Sequence, residues 1–201
     1  EAYEVMGLYD EMMYLIDMRE KNIGSEGIII LRAFAYLRKG DFETARTYFS
    51  QIPDEEKESL KYYLIEGELA FIDKDYETAE AAYLKAALMS EEDEEIINRL
   101  STISVAKEDY SKAAEYLEEV LKISPEFPTA KARLAFIRFE IGSKEPFDDI
   151  VQHLTDDELR FLLSLILESD ENNFDNLSRD KILTRLNEAR ESNVLFKNIK
   201  Y

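Results

Sequence analysis

Three five-residue strings constrain this chain more than anything else in it: Asp41-Phe42-Glu43-Thr44-Ala45, Asp75-Tyr76-Glu77-Thr78-Ala79 and Asp109-Tyr110-Ser111-Lys112-Ala113, each 34 positions after the last. Self-similarity at a fixed period means that one supersecondary unit has been copied, and such units bury a continuous core only by stacking on one another. Composition says which kind of unit. Six Gly and four Pro among 201 residues, set in long runs rich in Ala, Leu, Glu and Lys, leave few places to turn a strand, so the expected class is all-α. With 45% hydrophobic and 34% charged residues, the chain can fill a core and still solvate a large surface.

The period and the Asp-aromatic-x-x-Ala string resemble the tetratricopeptide repeat family, whose unit is a pair of antiparallel helices. The resemblance implies a right-handed superhelical solenoid of such pairs. In each unit the Asp is placed to cap the second helix, the aromatic to insert between the two helices, and Ala45, Ala79 and Ala113 to sit where the helices touch, because close crossing leaves room for little more than a methyl group. Phe49, Tyr83 and Leu117 follow four residues on, along the same face. First helices are expected near 27–39, 61–74 and 95–108, and second helices near 44–52, 78–90 and 111–124. The family's small position in the first helix is occupied by Ala33, Gly67 and Ser101. Pro53 and Pro125 stop two of the pairs, and Ser90 ahead of Glu91-Glu92-Asp93-Glu94-Glu95 reads as a cap followed by acids suited to a helix start.

The units are expected at 25–57, 58–91 and 92–125, with the first helix of a fourth at 126–142. Residues 1–24 read as a degraded unit, with Gly7-Leu8-Tyr9-Asp10-Glu11-Met12 as its turn. This suggests either excision from a longer solenoid or adaptation as a cap. After Gly142 the string is absent and Pro146 intrudes, so the strict repeat is expected to end there. Residues 143–201 then form an atypical helical cap. Thr155 and Glu158 make a capping box ahead of Leu159, Leu162, Leu163, Ile166 and Leu167, and a last helix is expected over 178–191 with Ile182, Leu183, Leu186 and Ala189 at helical spacing. The apolar, basic segment 194–201 has no assigned place.

Charge and residue type exclude several functions. The net charge of -19 opposes binding to a phosphate backbone or an anionic bilayer surface, so no nucleic-acid partner is expected, and no apolar stretch approaches the roughly 18 residues of a spanning helix, so no membrane insertion is expected either. No cysteine is present, which removes disulfides, zinc-thiolate sites and thiol catalysis but does not fix the compartment, for which cytoplasm is favoured over periplasm or another compartment. His153 is the single histidine and reads as a surface residue. Asp170 to Asp175 begins like a calcium loop, yet it lacks the sixth-place glycine and has Lys181 where the bidentate Glu belongs. No phosphate loop or nucleophile elbow occurs, so neither an enzyme nor a cofactor is expected.

What the family resemblance implies instead is a groove lined by the first helices, which holds a peptide or an amphipathic helix of another protein. Its positions fall on Ile30, Phe34, Leu37 and Arg38, then Lys61, Leu64, Glu68, Phe71 and Ile72. In the third and fourth units they fall on Glu95, Asn98, Thr102 and Val105, and on Ala132, Phe136, Phe139 and Glu140. These positions are mainly apolar or acidic, unlike the basic and amide clamp of relatives that grip acidic chaperone tails. They suit an apolar partner surface with basic flanks. Homo-oligomers formed through the same surface or the solenoid ends are one alternative, and a regulatory subunit of an enzyme complex is another.

Overall fold

The computed structural model describes the backbone of residues 2–23, 27–142, 144–168 and 170–199, and the side chains within 9–22, 27–142, 149–168 and 173–192 together with those of 147 and 170. The described residues are helical throughout, with short turns between: α1 (Ala2–Ile23), α2 (Ile28–Lys39), α3 (Phe42–Phe49), α4 (Leu60–Ile72), α5 (Tyr76–Met89), α6 (Glu94–Ala106), α7 (Tyr110–Ile123), α8 (Ala130–Glu140), α9 (Lys144–His153), α10 (Asp156–Leu167) and α11 (Arg179–Ile199). Single 3-10 turns lie at Asp54–Glu56 and Glu171–Phe174. Two compact units divide the chain at Ile96 and Ile97, inside α6.

In the first unit the repeated string does what its chemistry requires. Asp41 accepts from the Thr44 N–H at 3.2 Å and Asp75 from the Thr78 N–H at 3.1 Å, so each opens its second helix by satisfying an orphan donor. Ala45, Ala79, Ala33 and Gly67 are buried between the paired helices α2–α3 and α4–α5. At Gly67 an added Cβ would lie 2.7 Å from Cδ2 and Cε2 of the Tyr83 ring, so the smallest residue on α4 answers the largest on α5. The aromatic of the string behaves less uniformly. Tyr76 is half-buried, 5.7 Å from the Phe71 ring, but Phe42 stays 37% exposed at the surface instead of inserting.

The turn inside each pair has its own period. Positive φ recurs at Gly40 (83°), Lys74 (62°), Glu108 (60°) and Gly142 (72°), the one left-handed step that lets the chain leave one helix and enter the next. Glycine supplies it without cost at two of these places, while Lys74 and Glu108 adopt it against their Cβ.

At the amino end, α1 runs unbroken through Gly7, so the expected turn at Gly7 to Met12 is not there. Helix formers on both sides of a single glycine carry the helix across it at a cost of about 1 kcal/mol. Instead of half a hairpin, α1 is one helix packed on α2, with Ile16 buried against Ile28 and Ala35, and with Arg32 bound to Asp17 at 2.7 Å and Glu20 at 2.9 Å. The start of α6 differs as well: its cap is Asp93, not Ser90, since Asp93 Oδ1 accepts from the Glu95 and Ile96 N–H groups, each at 3.2 Å.

The second unit keeps the repeat's geometry longer than its motif. Asp109 caps α7 through the Lys112 N–H at 3.2 Å, Ala113 is buried, and the Ser101 hydroxyl donates to the Ala113 carbonyl at 3.1 Å. After Gly142 the string is absent, yet a helix still follows in the place of a second helix: α9, which packs on α8. Pro146 falls in its first turn, where a backbone N–H has no intrahelical partner to lose. The register holds too. Phe147 and Val151 stand 34 residues after Ala113 and Leu117, and both are buried in a core with Ala135, Phe139, Leu159, Leu162 and Leu163. Then α10 packs on α8 as α4 packs on α2, and α11 pairs with α10 through Ile182 and Leu186. The capping box of Thr155 and Glu158 is formed, and Arg179 donates to the Leu154 carbonyl at 2.9 Å, tying the end of α9 to the start of α11. Phe174, inside the loop that begins like a calcium site, is buried in this core. The backbone of α11 continues to Ile199, past the expected end at Glu191, and the side chains of 194–201 lie outside the described residues.

Candidate protein-binding surface

The expected groove positions fall into both units, and burial separates them. On α4, Lys61, Leu64, Glu68, Phe71 and Ile72 follow helical spacing along one face, and all are half-buried. Phe34 on α2 joins them: its ring is half-buried on the α2–α4 core, and the Lys61 ammonium lies 5.5 Å from its centroid. That contact links the two first helices on their outer side. Arg38 is exposed at the end of α2. Glu68 is engaged, accepting from the Tyr83 hydroxyl at 2.7 Å, so part of its charge is spent holding α5. Ile30 and Leu37, 7% exposed each, belong to the core between α2 and α4 and offer little surface.

In the second unit the corresponding face is more polar than the sequence reading anticipated. Arg133 of α8 donates from Nη1 to the Asn98 side-chain oxygen and from Nη2 to the Thr102 hydroxyl at 2.8 Å, bridging α8 to α6. Burial, and secondarily the positive Arg99 nearby, push the Arg133 guanidinium below its usual pKa. Arg133 was not among the expected groove residues. Its only sequence signal is a basic residue beside Ala132 on a first helix. Phe136 is half-buried where the two cores of this unit meet, whereas Phe139 is 7% exposed and packs 6.0 Å from the Phe147 ring as core. His153 is exposed in the last turn of α9. Among the described residues no three His, Asp or Glu side chains converge as metal ligands would, and no helix is long and apolar enough to cross a membrane.

The first-helix faces thus carry a half-buried apolar strip of Phe34, Leu64 and Phe71 in one unit, and a hydrogen-bonded Arg-Asn-Thr bridge beside Phe136 in the other. Family models described as tetratricopeptide repeat match residues 30–94 and 94–127. Among solved structures, the MamA RS-1 ArsTM double mutant aligns over 88% of this chain and 97% of its own at 12% identity and a TM-score of 0.60, a likeness of fold alone. A candidate protein-binding protein from Bacteroides ovatus covers 90% of this chain and 99% of its own at 13% identity, with a TM-score of 0.44. No curated protein matches the sequence. The role this repeat supports is that of a protein-interaction scaffold. Residues 30–127, with their capped second helices and buried small residues at the crossings, are tetratricopeptide repeats.

Proposed function

We propose that the chain is a non-catalytic adaptor that holds a peptide or an amphipathic helix of a partner protein against its first-helix faces. The observation that supports this most directly is the strip on α2 and α4, where Phe34, Leu64 and Phe71 remain half-exposed although they lie beside a well-packed core. An apolar helix face or an extended apolar segment would fill such a strip, and basic flanks on the partner would complement a chain of net charge -19. In the second unit, Phe136 is half-buried beside the bridge that Arg133 makes to Asn98 and Thr102.

The test uses Phe34→Glu and Phe71→Glu in a partner-capture assay with the full chain. Variants that keep the helical circular-dichroism signal and thermal transition but lose the partner support the reading. Unfolding by either change would assign those rings to the core, and undiminished capture would place the contact elsewhere. Self-association is the second reading, favoured by Tyr14 (62% exposed), Leu15 (60%) and Met18 (39%) on α1. Multi-angle light scattering from low to high micromolar concentration tests it directly: a mass that rises with concentration supports self-association, and a constant monomer mass rejects it.

A further inference from the structure

Among the described residues the most exposed large apolar side chain is on a second helix, not a first. Leu88 of α5 is 84% exposed, and Leu84 (41%) lies one turn before it on the same side of the helix together with exposed Ala81, while Met89 (50%) lies a quarter-turn round. The repeat does not require leucine there. At the positions equivalent to Leu84 the chain has Ser50 and Glu118, and at those equivalent to Leu88 it has Asp54 and Lys122. The crossing with α4 is made by other residues of α5: Ala79, Ala82, Tyr83 and Ala86 are buried. Lys85, the charge that would otherwise interrupt the stripe, is turned back over the Tyr63 ring of α4 at 4.9 Å.

Charge surrounds one end of this stripe. Exposed Glu91 and Glu92 follow directly on the carboxyl end of α5, where the helix dipole is itself negative, so a cation is favoured at that end and an anion is not. A second copy would bring another chain of net charge -19 to the same place, which like-charge repulsion opposes. We infer that the outer face of α5 is a second docking surface, separate from the first-helix faces, for a short amphipathic helix of another protein that lays large aliphatic side chains along Leu84 and Leu88 and places Lys or Arg against Glu91 and Glu92. The inference is independent of the first-helix reading and can succeed or fail without it.

The probe is a fluorescein-labelled 14-residue helix-forming peptide of Leu, Ala and Lys, with an apolar stripe and its Lys residues on the polar face and at one end. A control peptide has Glu in place of Lys. Anisotropy titrations with the full chain should show the Lys peptide binding and the Glu peptide binding at least about tenfold more weakly. Leu88→Glu should weaken the Lys peptide about tenfold or more, the size usual for removing a central anchor. The change cannot disturb the core, because the side chain is almost wholly in solvent. Glu91→Lys with Glu92→Lys should weaken binding several-fold and flatten its salt dependence. Phe34→Glu and Phe71→Glu should leave it unchanged, and amide exchange should slow over residues 81–92 on binding. The proposal is overturned if the wild-type chain does not bind the Lys peptide, if Leu88→Glu leaves binding intact, or if only the first-helix variants abolish it. A concentration-dependent mass that Leu88→Glu abolishes would assign the face to a second copy and equally overturn it.

Discussion

Replacing Gly67 with Ala isolates the packing that joins α4 to α5. Alanine is the better helix former by about 1 kcal/mol, and Gly67 is not in a left-handed conformation, so propensity alone makes the change stabilising. Packing opposes it. The new methyl would lie 2.7 Å from two ring carbons of Tyr83, closer than real Cβ contacts come. The ring has little freedom to yield: Tyr83 is 4% exposed, and its hydroxyl donates to Glu68 at 2.7 Å. Overpacking of this sort costs about 1–3 kcal/mol, so the net effect is a loss of roughly 1 kcal/mol, or about 2–4 °C in Tm for a chain of this size. The equivalent pair in the next repeat is Ser101 with Leu117, which suggests the rescue. Tyr83→Leu alone should destabilise by leaving space, but Gly67→Ala with Tyr83→Leu should show a favourable coupling of about 1 kcal/mol or more in a double-mutant cycle measured by urea denaturation. A rise in stability from Gly67→Ala alone, or a coupling near zero, would refute the claim that ring and glycine were chosen together.

Restoring the family's alanine in the fourth repeat should do harm: Phe147→Ala removes a ring 1% exposed and should cost about 3–5 kcal/mol, seen as earlier loss of helical signal from the second unit. The reverse holds at the strained turns, where Lys74→Gly and Glu108→Gly should each stabilise by about 0.5–1 kcal/mol, since the left-handed penalty exceeds the added chain entropy; a loss of stability would contradict the turn geometry. The Asp75 cap carries a pH signature. Hydrogen bonds from the Thr78 hydroxyl and backbone N–H hold its carboxyl below the usual range, so its contribution is complete above the unfolded-state pKa of about 3.9 and is lost as pH falls through the lower folded value. Asp75→Asn should therefore lower the urea midpoint at pH 6, and the difference from wild type should shrink towards pH 3.

The 34-residue string was enough to announce helix pairs, because capping, close crossing and the left-handed turn are local requirements met by residues near one another in sequence. Asp41, Asp75 and Asp109 act within three residues of themselves, so they could be assigned from the chain alone. The Thr155–Glu158 capping box was legible for the same reason. Tertiary structure decided what depends on neighbours distant in sequence. Gly142 was legible as a turn, yet the helix after it bears no motif and is held by burying Phe147 and Val151 against α8, α10 and α11, a contact set that periodicity does not contain. The groove shows the same division. Helical spacing placed Ile30, Phe34 and Leu37 on adjoining faces of α2, but only the approach of α4 covers Ile30 and Leu37 while leaving Phe34 half-exposed. Arg133 reaches Asn98 and Thr102 across a gap of more than thirty residues in sequence, which no local pattern signals. Spacing along a helix determines which side chains share a face; what packs on that face decides whether they become core or surface.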